Sequence, residues 1–215
     1  MRQVSNNPIR FLIPAKNRWI FFIATLIAIG IYTAFGPPEF SLGTHIRIVY
    51  LHGAWVWASL AAFLAAGICG GLGLFLHRSS FHNWSRAFGR TGLFFWIIYL
   101  PLSLLAMQSN WNGLFLAEPR WRLALAFSIA GALLQVGASL VNKPSVTSAL
   151  NLGYFVVLTI TLGQTPNVMH PASPILNSNT WSIQSYFFGL VLLSLFAVSQ
   201  MARWWYQREP NRVQQ

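Results

Sequence analysis

Long apolar segments, separated by short polar ones, dominate the hydropathy pattern of this chain. Six of them follow one another, at residues 19–35, 47–76, 91–108, 122–141, 146–163 and 181–205. Each approaches or exceeds the roughly 20 residues with which an α-helix crosses a bilayer. The pattern therefore predicts an all-α, polytopic membrane bundle of six transmembrane helices. Residues 1–18 and 206–215 are predicted to be tails on either side of this single domain.

Charged residues, prolines and glycines refine the prediction between and within the segments. The basic segment 77–90 is predicted to be a loop in which His77 and His82 are solvated. Pro101 is predicted to kink the third helix, because proline cannot donate a helical hydrogen bond. The run GICGGLG at 67–73 is predicted to allow close helix–helix packing, since small residues let two backbones approach each other.

Composition and charge support a membrane protein. The chain is 55% hydrophobic and only 8% charged, whereas soluble domains contain roughly 25% charged residues. A net charge of +11 could indicate nucleic-acid binding, but the basic residues lie at the ends of apolar segments, where they set membrane orientation. Eleven of the 14 basic residues fall on one side of the six-span arrangement. The positive-inside rule then predicts that both termini are cytoplasmic. Basic residues placed at the ends of spans, and not clustered on one soluble face, argue against a nucleic-acid partner.

Three histidines fall on the predicted outer side of the membrane. His45 and His52 are seven residues apart at the start of the second segment, a spacing that returns to nearly the same helix face. His170 lies in VMHPASP at 168–174, where two prolines stiffen the backbone. Taken singly, His52 has the alternative interpretation of a hydrogen-bonded core residue, and His170 that of an exposed loop residue.

Taken together, the outer histidines indicate a narrower set of ligands. Two imidazoles from different loops, without an outer cysteine or carboxylate cluster, do not resemble a zinc or calcium site. They suit the two axial positions of a haem iron. Gly53 and Ala54 are expected to leave room for a flat ligand beside His52. Glu39 and Glu118 are the only outer acids, which disfavours paired-carboxylate hydrolysis, and no enzymatic activity is expected.

Arginines and tryptophans complete the set of candidate haem contacts. Arg47, Arg120 and Arg122 are the outer cations, and arginine binds carboxylates such as haem propionates in bidentate fashion. The alternative interpretation is that they only orient helix ends. Trp111 and Trp121 are candidates to lie against a porphyrin, with an ordinary interfacial aromatic belt as the alternative.

These residues carry a resemblance to a known family. RIVYLHGAWVW at 47–57 resembles the start of an outer helix in the haem-handling cytochrome c assembly proteins. VMHPASP is similar to the second histidine loop of that family, and Thr91-Gly92 before the third span also fits. Within the family, the chain looks most like the six-span membrane component that presents haem to a periplasmic haem chaperone. The resemblance covers about residues 40–200.

The resemblance implies a non-covalent, b-type haem on the outer face, held by one histidine from each of two loops, here His52 and His170. His45 is the rival to His52 as the first ligand. The tryptophan-rich loop that forms the family's porphyrin platform is not matched, because its tandem tryptophans fall on Leu116 and Ala117.

The expected function is therefore a haem-binding membrane protein that transfers haem to a periplasmic chaperone or cytochrome. Two alternative functions are compatible with the same six-helix fold. One is a membrane subunit of an electron-transfer complex that keeps a b-type haem. The other is a structural subunit of such a complex, without haem, that binds other membrane subunits.

Overall fold

The computed structural model describes residues 18–168 and 175–209, which form a helical bundle. The described helices are α1 (Arg18–Ala34), α2 (Ile46–Leu76), α3 (Ser79–Trp111), α4 (Pro119–Val141), α5 (Pro144–Gln164) and α6 (Trp181–Arg208). The all-α, six-helix prediction is confirmed.

Five of the helices, α2 to α6, are long and apolar enough to cross a membrane. Helix α1 is also apolar but has 17 residues, which corresponds to about 25 Å at the usual helical rise. Large apolar side chains point away from the bundle, including Ile31, Leu133 and Leu192. Such a surface suits lipid rather than water, so the chain is an integral, multi-pass membrane protein.

The two ends of the bundle differ in chemistry, and we name them after the histidines that they carry. The starts of α2, α4 and α6 lie at the His52 end. At the opposite, His82 end, the rings of Trp19 in α1 and Trp204 in α6 are 4.7 Å apart. The start of α1 and the end of α6 therefore lie together, as expected for six spans.

The prediction of a loop at 77–90 is wrong. Helix α3 begins at Ser79, so only two residues connect it to α2. The polar stretch is helical because its charges have partners in the fold. Arg86 and Arg90 donate to the two carboxylate oxygens of Glu209, just after α6, at 2.7 and 2.8 Å. Pro101 lies inside α3, which continues to Trp111; the expected kink remains a prediction.

Helix α2 is the central element of the bundle and packs against α1, α3, α5 and α6. One of its faces is a buried stripe of small residues, which are Ala54, Ala58, Ala62, Ala66, Gly70 and Gly73. A Cβ atom added to Gly70 would lie only 2.7 Å from the backbone oxygen of Ser148 in α5. The prediction that the glycine-rich run allows close helix packing is confirmed.

A polar network joins four helices towards the His82 end. Gln135 donates to Asn151, which donates to the backbone oxygen and the hydroxyl of Ser85. The Ser85 hydroxyl in turn donates to the backbone oxygen of Ala66. Hydrogen bonds of this kind stabilise helix contacts in an apolar environment.

His82 belongs to the same region and is not solvated as predicted. Its Nδ1 atom lies 2.7 Å from the hydroxyl oxygen of Ser148. A Cβ atom on Gly73 would lie 2.7 Å from that nitrogen, so the imidazole fills the space that the missing side chain leaves. His77, by contrast, is exposed.

Candidate functional site

His52 lies in the second turn of α2, half-buried near one end of the bundle. Its imidazole packs against the phenol ring of Tyr99 in α3, with ring centroids 5.0 Å apart and planes inclined by 35°. Tyr99 is buried. The contact between α2 and α3 thus restrains the orientation of the imidazole.

A tyrosine cluster fixes the start of α2, and hence the position of His52. Tyr32 in α1 and Tyr186 in α6 stack with centroids 4.5 Å apart. Tyr50 lies 5.2 Å from Tyr186, and its hydroxyl donates to the backbone oxygen of Pro37. The end of α1, the start of α2 and the start of α6 therefore pack together at Tyr50, which lies two residues before His52 in the chain.

Two residues that the sequence reasoning did not assign to the site, Tyr99 and Glu118, contribute to this region. Tyr99 lies within electrostatic range of both Glu118 and Arg120. Glu118 is only 5% exposed, and neither of its carboxylate oxygens accepts a hydrogen bond from any residue that the structure describes. Tyr99 thus contacts the His52 imidazole and interacts electrostatically with Glu118 and Arg120 at the start of α4.

The other two acids of the chain have clear structural partners, which sets Glu118 apart. Glu39 accepts hydrogen bonds from the Ser41 hydroxyl and from the backbone of Ser41 and Leu42. These bonds, led by that of the Ser41 hydroxyl, hold the pKa of Glu39 below its usual value. Glu209 forms the ion pairs with α3 described above.

The space expected beside His52 is filled. A Cβ atom on Gly53 would lie 3.2 Å from the ring of Phe187 in α6 and 3.9 Å from Ile175. Ala54 is completely buried. The expectation that Gly53 and Ala54 leave room for a flat ligand is therefore wrong, because α6 packs directly onto this face of α2.

Each of the three arginines at this end donates to a backbone carbonyl. Arg47 donates to Gly36 at 2.9 Å and Arg122 to Leu116 at 3.1 Å. Arg120 donates from two nitrogens to Thr165 at 3.4 Å. These hydrogen bonds therefore stabilise the connections between helices. A guanidinium group has five N–H donors, so donors remain for an anionic ligand.

The two candidate tryptophans lie on either side of the connection between α3 and α4. Trp111 is the last residue of α3 and Trp121 lies in the first turn of α4, and both are half-buried. The indole nitrogen of Trp121 is buried without a hydrogen-bond partner among the described residues.

The remaining candidate ligands lie at the edge of the described structure. His45 caps the start of α2 and is exposed. His170 lies outside the described residues, as does most of its VMHPASP motif. Within residues 18–168 and 175–209, no group of three or more His, Cys, Asp or Glu side chains is arranged to hold a metal ion. An axial pair of histidines would not form such a group.

No protein-family model and no curated protein matches this chain. The resemblance to the cytochrome c assembly proteins therefore remains an expectation, which depends on the short motifs around His52 and His170 and on the order of the six apolar segments.

Proposed function

We propose that this protein binds haem at the His52 end of the bundle and transfers it to an acceptor, as a haem-handling protein of the cytochrome c assembly class. The observation that carries the proposal is the position of His52, half-buried in an apolar helix with its ring against Tyr99. Histidines within membrane segments are costly and usually serve a ligand or an ion. A restrained imidazole near the membrane surface suits an axial haem ligand.

The proposed axial pair is His52 with His170, and His45 is the rival to His52. The haem is b-type and non-covalent, and it supplies an iron that accepts two imidazoles. A porphyrin bound by His52 does not lie between α2 and α6 at Gly53, because Phe187 occupies that space. The free donors of Arg47, Arg120 and Arg122 are the proposed contacts of the propionates.

We further propose that the His52 end faces the periplasm of a bacterial cell, with both termini in the cytoplasm. The support is the uneven distribution of basic residues, eleven against three. The acceptor would then be a periplasmic haem chaperone or an apocytochrome, and other membrane subunits could assemble around the bundle.

The orientation is testable with single cysteines in a Cys69→Ala background. Asn179 precedes α6 at the His52 end, and Ser80 lies in the first turn of α3 at the His82 end; both are exposed. An impermeant maleimide applied to intact spheroplasts should label Asn179→Cys and not Ser80→Cys. After lysis both cysteines should react. Labelling of Ser80→Cys alone in intact spheroplasts would show that the orientation is inverted.

A second candidate function is a membrane subunit that keeps its haem as a redox centre. The observation that favours it is the 112–118 connection, where the tandem tryptophans of the family's platform are replaced by Leu116 and Ala117, both exposed. A haem that is retained does not need to be presented to a chaperone.

One experiment separates these functions. The protein, purified in detergent, should show a Soret band and close to one haem per chain. Incubation with apomyoglobin, a general haem acceptor, should then remove the haem if it is held for transfer. Retention of the haem, with a reproducible reduction potential, would instead support the redox subunit. If folded protein, reconstituted with haemin, shows no Soret shift, the haem proposal is wrong and a structural subunit remains.

A further inference from the structure

We infer that the connection between α3 and α4, residues 112–118, inserts into the membrane interface and binds phospholipid. This 112–118 loop exposes three consecutive large apolar side chains. Leu114, Phe115 and Leu116 are 53%, 47% and 48% exposed. Contiguous apolar groups on a surface mark a contact with lipid or with another molecule.

The exposure of these side chains follows from a defined backbone. Asn112 follows the last residue of α3, and its left-handed φ of 52° turns the chain out of the helix. The backbone N–H of Glu118 donates to the backbone oxygen of Phe115 at 3.0 Å. The Arg122 side chain donates to the backbone oxygen of Leu116. The polar side chain of Glu118 is buried while the apolar ones point outward. The loop therefore has the opposite arrangement to one that faces water.

The position of the loop selects lipid as the occupant. It joins two helices that can each cross the bilayer, so its seven residues cannot extend far from the membrane surface. Trp111 and Trp121 flank it, and tryptophan is enriched at the level of the lipid headgroups.

The charge beside the loop complements phospholipid. Arg122 is exposed, and within the described part of the chain only its Nε atom donates a hydrogen bond. When no haem propionate occupies them, its terminal N–H groups are therefore available to a phosphate, which arginine binds in bidentate fashion. Leucine and phenylalanine side chains would enter the acyl region while the guanidinium binds the headgroup above them.

The test is the depth of single nitroxide labels in vesicles of phosphatidylethanolamine and phosphatidylglycerol. The labels are placed at Leu114→Cys and Leu116→Cys in a Cys69→Ala background. Leu133→Cys, on the exposed face of α4, is the lipid control, and Asn179→Cys is the water control. Power-saturation EPR then compares collisions with oxygen, which concentrates in the bilayer, and with a water-soluble nickel chelate.

Both loop labels, like the Leu133→Cys control, should collide more with oxygen than with the nickel chelate. Collisions dominated by nickel, as at Asn179→Cys, would place the loop in water and overturn the inference. Low collision with both reagents would mean that protein covers the loop, which overturns it as well. The experiment is done without haem, so its result does not depend on whether the protein binds haem.

Discussion

Replacing Gly70 by alanine should lower the free energy of unfolding by about 3 kcal/mol, at the upper end of the range for overpacked cores. The added Cβ atom would lie 2.7 Å from the backbone oxygen of Ser148, and 3.1 Å from the Ser85 hydroxyl oxygen. A flexible side chain could move away, but a helix backbone cannot move without displacing α5. The contact also lies beside the polar network through Ser85 and Asn151, so separating the helices would weaken those hydrogen bonds.

The neighbouring glycine provides a matched control. A Cβ atom on Gly71 would lie 3.9 Å from the nearest atom, a methyl carbon of Leu152, which is an ordinary contact. Gly71→Ala makes the same chemical change in the same turn of α2, and it should leave stability unchanged or raise it slightly, because alanine favours helix. The measurement is reversible unfolding of both variants in mixed micelles. Equal stabilities for the two variants would show that the close approach of α2 and α5 does not limit packing.

Much of the fold was predictable because apolar length alone identifies membrane helices. The start of α3 was not, since its first turns are polar and resemble a loop by hydropathy. They are helical because Arg86 and Arg90 meet Glu209, which lies far away in sequence. His82 was misjudged for the same reason, as its partner Ser148 lies on another helix. A pattern read along one segment does not contain such distant partners.

The candidate site was predictable only as far as its residues stand out within a single segment. His52 was found because a histidine in an apolar run is unusual. Tyr99 resembles any aromatic residue of a span, and only the fold brings it against His52. Glu118 stands out in the sequence as an outer acid, one of only three acids in the chain, but only the fold shows that its side chain is buried. The space at Gly53 was misjudged because the residue that fills it, Phe187, belongs to α6.

Replacing His52 by glycine should convert most of the bound haem from low-spin to high-spin iron. The protein with both proposed ligands should hold a six-coordinate iron that does not bind carbon monoxide. Removing one imidazole opens a coordination position, so carbon monoxide should bind and the Soret band should shift. Added imidazole should restore the original spectrum, since glycine leaves a space for it. His170→Gly should behave in the same way, because the two axial positions are equivalent in this respect.

Two other histidines serve as controls that distinguish the ligand from its rival. His77→Gly changes an exposed residue at the opposite end, at a left-handed φ of 53° that glycine adopts readily, and it should leave the haem spectrum unchanged. His45→Gly should also have no effect, because His45 is exposed at the cap of α2, whereas His52 is held against Tyr99. If His45→Gly opens a coordination position on the iron and His52→Gly does not, the ligand is His45, at the cap of α2, and not His52. If neither variant changes a haem that is present, in protein whose helical content is intact, both assignments on α2 are wrong and the iron is bound elsewhere in the bundle.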